Sequence, residues 1–222
     1  MRMHFTRRRI PHHLPFPVTL LSLLLFTAFT GSLTAQPQSG GGSGDTLHLV
    51  FTGDIMGHDS QIASALKTGN GSYDYRSCFQ PIAPYIRRAD IAVGNLEVTL
   101  AGPPYKGYPA FSSPDALARA LRETGFDVLV NANNHALDRG KKGLERTLAV
   151  LDTLSFIRAG SYRDTTERRL HYPLILEKNG IRIALLNYTY GTNGIPVTPP
   201  NMVNYIDTAQ IRRDLAKAAT AE

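Results

Sequence analysis

The chain contains few of the residues that crosslink a small secreted domain. It has one cysteine, Cys78, and no tryptophan among its 222 residues. A single cysteine excludes an internal disulfide, so we expect the folded part to be stabilised by packing or by bound metal. Hydrophobic residues make up 42% of the chain and charged residues 19%, which is typical of a globular protein.

Acidic residues are absent from residues 1–35, and this absence accounts for much of the net charge of +6. Without the four arginines of that segment, 20 basic residues face 18 acidic ones. No basic face occurs at a regular spacing in the rest of the chain. We therefore expect no nucleic-acid partner.

The N-terminus also lacks an apolar run of the length that spans a membrane. A cationic "RRRI" precedes the short apolar run "VTLLSLLLFTAF" and the small-residue exit "TGSLTAQPQ". This order predicts a secretory signal peptide over residues 1–35, cleaved after Ala35, and the alternative is an uncleaved anchor. In both cases we expect an exported protein, located in the periplasm, at the cell surface or on the membrane. A Gly/Ser-rich linker is predicted over residues 36–46.

Strand-like and helix-like segments alternate from residue 47 to residue 222, which predicts a layered α/β domain. The stretch "SPDALARALRETG" predicts a helix with Ser113 as N-cap and Gly125 as its stop. An Asn-Gly pair between two apolar runs within residues 173–190 predicts a β-hairpin. This antiparallel pairing favours a mixed sheet over a purely parallel one.

Polar side chains follow three of the predicted strands, at the point where each strand ends. In open α/β sheets, ligands bind at the carboxyl ends of the strands. Carboxylate, amide and imidazole groups are ligands for Mn, Fe, Zn or Mg. The three strand ends carry Asp54 and His58, then Asn95 and Glu97, then Asn133, Asn134, His135 and Asp138.

Two of these strand ends have a spacing that suits a shared ligand. Asn95 and Glu97 are two residues apart in a strand, so both can point to the same side. Asn134 and His135 are adjacent in a predicted turn that can aim both at one point. Three such ends could enclose a two-metal site that activates water or supports displacement at phosphorus. The alternative is that these residues cap helices and satisfy backbone groups.

The motifs "FTGDIM", "GNLE" and "NANNHALDRG", in this order, resemble the CapA family of poly-γ-glutamate capsule synthesis proteins. That family is similar to the calcineurin-like metallophosphoesterases. The stretch "NYTYGTNG" (187–194) also resembles the family. The resemblance implies a four-layer α/β/β/α sandwich with mixed sheets around a centre of two divalent metal ions.

The resemblance also implies roles for individual residues. Asp54 corresponds to the first-motif aspartate that binds one metal ion. Asn95 stands where the metal-bridging aspartate is expected, with Glu97 as the nearby carboxylate. Asn134 corresponds to the third-motif asparagine that binds metal. His135 corresponds to the catalytic histidine that stabilises charge on the leaving group.

Several positions depart from the phosphoesterase pattern. Met56 occupies the usual first-motif histidine position, and His58, a further candidate metal ligand, is out of register with it. The later histidine motifs, of the form "HxGxE" and "GHxxH", do not follow His135, so we expect a C-terminally truncated domain that holds part of its metal site. Asp138 is expected to brace its turn rather than to bind metal.

The residues and the resemblance together predict an exported, metal-dependent, phosphoesterase-like hydrolase of capsule or poly-γ-glutamate biosynthesis. Its substrate would be an anionic cell-surface polymer or a phosphoester, and a membrane-bound synthesis or export complex is a candidate partner. One alternative is a non-catalytic accessory that binds the polymer, with the loop 103–114 and its Lys106 in contact with it. A second alternative is an inactive fragment.

Overall fold

The computed structural model of the chain describes residues 46–221. The predicted signal peptide lies outside the described residues, as does the predicted linker except for Thr46. The helices are α1 (Asp59–Thr68), α2 (Arg76–Phe79), α3 (Ala83–Ile86), α4 (Asp115–Thr124), α5 (Gly140–Thr153), α6 (Thr165–His171) and α7 (Thr208–Ala219). The strands are β1 (Leu49–Ile55), β2 (Ile91–Leu96), β3 (Val128–Val130), β4 (Ile157–Ala159), β5 (Ser161–Tyr162), β6 (Leu174–Lys178), β7 (Ile181–Leu185) and β8 (Met202–Val203).

The centre of the domain is a four-stranded parallel sheet with the strand order β1-β2-β3-β4. Its strands are joined through helices, which confirms the predicted α/β class. The register between β1 and β2 shifts between Phe51 and Asp54, so that Asp54 is paired with Asn95. An irregularity of this kind changes where the following side chains point, and here it lies directly before the first candidate ligand.

One face of the sheet is covered by helices, because α4 presents a continuous apolar face to it. Leu117 and Leu121 of α4 pack with Leu96 and Leu129 of the sheet in the largest hydrophobic cluster. Burial of a leucine side chain stabilises a fold by about 2 kcal/mol. Helix α4 ends at Gly125, as predicted, with a left-handed φ of 115°.

The start of α4 differs from the prediction. The N-cap is Pro114, which offers no side-chain hydrogen bond, whereas Ser113 lies before it. The hydroxyl of Ser113 is buried and has no hydrogen-bond partner among the described residues. Pro114 itself has an extended backbone, with a ψ of 144°, so the helix begins one residue later than expected, at Asp115, and Ser113 lies too early in the chain to cap it.

The other face of the sheet is covered by the predicted hairpin. β6 and β7 pair antiparallel around a turn whose residues Asn179 and Gly180 have φ values of 53° and 74°. Leu176 of the hairpin packs against Ile91 and Val93. The hairpin therefore stacks on the parallel sheet as a second layer rather than joining its edge. Parallel and antiparallel pairings lie in separate sheets, which refines the expectation of a mixed sheet.

The apolar side chains of β2 and β3 thus face the two covering layers, and polar groups gather where these strands end. Among residues 46–221, no helix has the length and apolar character needed to cross a bilayer.

Candidate metal site

Three neighbouring strand ends meet at the carboxyl edge of the parallel sheet, as the strand pattern predicts. Asp54 is paired with Asn95 across β1 and β2, and Asn95 is paired with Val130 across β2 and β3. Asn133, three residues after β3, reaches back and donates a hydrogen bond from Nδ2 to Asn95 Oδ1 at 3.0 Å. Side chains from all three strand ends therefore form one connected cluster.

The centre of this cluster is an acid pair bridged by an amide. Asn95 Nδ2 lies 2.9 Å from Asp54 Oδ1 and 2.9 Å from Glu97 Oε2. Glu97 is buried, at 9% exposure, while Asp54 is exposed. Burial raises the pKa of Glu97, and the neighbouring Asp54 carboxyl raises it further. The pair therefore carries electrostatic repulsion that a cation would relieve.

His135 lies in the loop after β3 and is held by Asp138. His135 Nδ1 is 2.8 Å from Asp138 Oδ2, and the backbone N–H of Phe111 donates to the same oxygen at 2.7 Å. An ionised carboxylate only accepts hydrogen bonds, so Nδ1 carries a proton, and in the neutral tautomer Nε2 keeps its lone pair. Asp138 thus braces the turn, in agreement with the expectation from the sequence.

Aromatic contacts restrain the same histidine ring. The Phe111 ring packs edge-on against His135 with a centroid separation of 4.8 Å. Burial raises the pKa of Asp138, opposed by the Phe111 N–H and by His135. The sequence pattern did not single out Phe111, because it lies in a loop between elements, far from His135 in the chain.

His58 lies apart from the acid pair. It is the N-cap residue of α1, where its backbone N–H donates to Gln61 Oε1 at 2.7 Å. Its ring packs edge-on against Phe111, with centroids 5.1 Å apart. Within residues 46–221, no three His, Cys, Asp or Glu side chains form a group that could hold a metal ion. Asp54, Glu97 and His58 are therefore not brought together as a ligand set.

Asn134 points toward the stretch 187–194, which the sequence singles out only because it resembles the CapA family. Its Nδ2 donates to Asn193 Oδ1 at 3.3 Å, and Asn193 belongs to the "NYTYGTNG" stretch. Asn193 Nδ2 also lies 3.4 Å from His135 Nδ1. Both atoms are donors once Nδ1 is bonded to Asp138, so the shorter 2.8 Å contact is the hydrogen bond. Asn193 is therefore an additional residue that lines the site.

The asparagines after β3 also anchor the loop itself. Asn131 Oδ1 accepts from the Ser161 N–H at 3.0 Å, which ties the loop to β5. From the hairpin side, Asn187 Oδ1 accepts from the Ala132 N–H at 2.7 Å. The loop that presents His135 is therefore held on two sides by amide-to-backbone bonds.

The donors present fit one divalent cation better than two. The carboxylates of the exposed Asp54 and the buried Glu97 repel each other and are hard oxygen donors that suit Mg²⁺ or Mn²⁺. Each uses one oxygen to accept from the amide of Asn95, which leaves the other oxygen for a cation. A bridging third carboxylate is missing between them.

The fold and the site define an α/β protein whose carboxylate, amide and imidazole groups gather at the carboxyl edge of a parallel sheet. The family model described as "Bacterial capsule synthesis protein PGA_cap" matches residues 48–221. The chain therefore belongs to the PGA_cap family of bacterial capsule synthesis proteins, and its layered α/β fold is consistent with the metallophosphatase-like fold of that family.

Two curated relatives support this assignment. The chain is 27% identical over 196 residues to the capsule biosynthesis protein CapA of Bacillus anthracis, covering 83% of this chain and 45% of that protein. It is 26% identical over 192 residues to the PGA biosynthesis protein CapA of Bacillus subtilis strain 168, covering 82% and 48%. The chain spans about half the length of these relatives.

Proposed function

We propose that the protein is exported and acts in the synthesis of an anionic capsular polymer of the poly-γ-glutamate type, as a metal-dependent hydrolase. Membership of the capsule synthesis family and the names of both relatives support the biological role. The observation that carries the chemistry is the Asp138–His135 hydrogen bond beside the acid pair. A carboxylate-held histidine next to hard oxygen donors is an arrangement suited to hydrolysis.

In this proposal Asp54 and Glu97 hold one divalent cation, which supplies Lewis-acid polarisation of a substrate oxygen when bound. His135 moves a proton through Nε2, because Asp138 occupies Nδ1. Phe111 limits rotation of the imidazole ring and excludes water from one side of it. Asn134 and Asn193 line the approach, and their amides can contact a phosphoester or a carboxylate group of the substrate.

The test uses the full chain with Mn²⁺ or Mg²⁺, a nitrophenyl phosphodiester and poly-γ-glutamate as substrates. We expect turnover that a chelator abolishes and that His135→Ala lowers by about a hundredfold or more. The matched control is His171→Ala, which removes an exposed histidine at the end of α6. Equal activity of the His135→Ala variant and the wild-type chain would rule out this role for His135.

A specific observation favours a second candidate, in which the domain binds the polymer without turnover. The amide of Asn95 already bridges the two acids, so the site is held together without metal. The loop 103–114, whose Phe111 contacts His135, exposes Tyr108 at 69% and also presents Lys106 to solvent. Retention of poly-γ-glutamate by the chain in chelator, lost in a Lys106→Ala and Tyr108→Ala double variant, would support this candidate. A membrane-bound synthesis or export complex is its proposed partner.

A further inference from the structure

The amide orientation of Asn133 is determined by two backbone groups. The His135 N–H donates to Asn133 Oδ1 at 3.1 Å, and Asn133 Nδ2 donates to the Leu96 carbonyl at 2.8 Å. A backbone N–H can only donate and a carbonyl can only accept, so a flipped amide would lose both bonds. Asn133 is 6% exposed, which makes that loss costly.

The orientation of the Asn133 amide in turn determines the orientation of the Asn95 amide. The second hydrogen of Asn133 Nδ2 is donated to Asn95 Oδ1 at 3.0 Å. Asn95 must therefore turn its own Nδ2 toward the acids, where it lies 2.9 Å from Asp54 Oδ1 and 2.9 Å from Glu97 Oε2. In the reverse orientation a carbonyl oxygen would face two carboxylates and two NH₂ groups would face each other, and both arrangements are repulsive.

From this chain of bonds we infer that Asn95 is a hydrogen-bond donor to the acid pair and not a metal ligand. Its two amide hydrogens occupy the position between the carboxylates of Asp54 and Glu97, where a ligand bridging two metal ions would lie. The site therefore holds no more than one divalent cation. The presence of that cation rests on the proposed function, whereas the orientation of the amide does not. The inference also replaces the expectation that Asn95 is a metal ligand.

The direction of change on mutation separates a donor from a ligand. If Asn95 donates to Asp54 and Glu97, Asn95→Ala removes both hydrogen bonds and frees the two carboxylate oxygens for the cation. The variant is then expected to bind Mn²⁺ about tenfold more tightly. If Asn95 were a ligand through Oδ1, the same variant would bind Mn²⁺ more weakly.

A second variant tests the bridging position. Asn95→Asp keeps an acceptor for Asn133 Nδ2 and brings a third carboxylate between the acids. We expect this variant to bind two Mn²⁺ ions per chain where the wild-type chain binds no more than one. The matched control is Asn193→Asp, which adds the same charge beside His135 but outside the acid pair, and which is expected to leave the number of bound ions unchanged.

The measurement is equilibrium dialysis of the full chain against Mn²⁺, with metal analysis and electron paramagnetic resonance, which detects coupled ion pairs. Two coupled ions in the wild-type chain, or weaker binding by Asn95→Ala, would overturn the inference. If Asn95→Ala fails to fold, the Asn95→Asp variant provides the test. An Asn95→Asp variant that still binds only one Mn²⁺ ion per chain would also overturn the inference. A wild-type chain that binds no ion while either variant gains binding supports the inference and contradicts the proposed metal-dependent hydrolase.

Discussion

Oδ2 of Asp138 and Nδ1 of His135 are 2.8 Å apart, and the same oxygen accepts the Phe111 N–H. One buried carboxylate oxygen therefore connects the loop after β3 to the loop before α4. The aspartate lies three positions after the histidine in the sequence, while Phe111 is contributed by a distant segment. The imidazole, its carboxylate and its aromatic wall form a single unit.

We expect Asp138→Ala to destabilise the protein by about 2–3 kcal/mol, because it leaves the Phe111 N–H buried without an acceptor. The comparison is Asp207→Ala, since Asp207 also accepts one backbone N–H, from Gln210, but at the exposed start of α7. Loss of that cap should cost about 1 kcal/mol. Urea unfolding of both variants measures the difference, and equal losses would contradict the buried role of Asp138.

The close approach of Gly57 to Ser113 gives a prediction on packing. A Cβ atom at residue 57 would lie 2.2 Å from Ser113 Oγ but 3.4 Å from Ser113 Cβ. Gly57→Ala is therefore expected to cost about 1–3 kcal/mol in the free energy of unfolding.

Ser113→Ala should restore most of that loss, because it removes the clashing oxygen, which is buried and unpartnered within the described residues. Alone, Ser113→Ala should be neutral or stabilising. A double-mutant cycle measured by thermal unfolding tests the pair, and additive effects would show that the two positions do not meet.

The acid sensitivity of the protein should depend on Glu167. Burial alone would raise its pKa, but hydrogen bonds and charges from Arg163 and Arg158 outweigh burial and hold the pKa below its usual value. Because the folded pKa is lowered, the stabilising contribution of Glu167 is complete above its unfolded pKa of about 4.3 and declines as the pH falls through the folded pKa.

Urea unfolding of the wild-type chain and Glu167→Gln between pH 7 and pH 3 measures this contribution. We expect the wild-type chain to be more stable at pH 7 and the gap to narrow below about pH 4. Glu177→Gln is the control. Glu177 lies at the surface, and its Oε2 forms only a long ion pair of 4.0 Å with Nε of Arg182. A gap for Glu167→Gln that does not change with pH would contradict the role of its charge.

The buried carboxylate of Glu97 in the candidate site lowers the stability of the folded protein. Its carboxylate is buried beside Asp54, which raises its pKa and destabilises the charged form. In chelator at pH 7, Glu97→Gln is expected to raise the free energy of unfolding by about 1 kcal/mol, because a neutral amide replaces a repelling charge. The same variant should lose Mn²⁺ binding. Lower stability together with unchanged Mn²⁺ binding would show that Glu97 has no place in a cation site.

Local patterns were sufficient for much of the fold. Alternating apolar segments predict the α/β class, Gly125 ends α4 as expected, and the Asn179–Gly180 turn forms the predicted hairpin. These features depend on interactions between residues close in the chain. Ser113 was assigned wrongly as an N-cap because Pro114 keeps an extended backbone, with a ψ of 144°, and the helix begins one residue later than the pattern indicated.

The sequence by itself determined that three polar strand ends share one edge of a parallel sheet, since that follows from the order of strands and helices. Only the tertiary structure decided what each polar group does there. His58 packs on Phe111 instead of joining the acids, and Asn95 turns its nitrogen toward them. The orientation of an amide or a ring depends on hydrogen-bond partners such as Leu96 and Asn133, which are distant from each other in the chain and meet only in the folded protein.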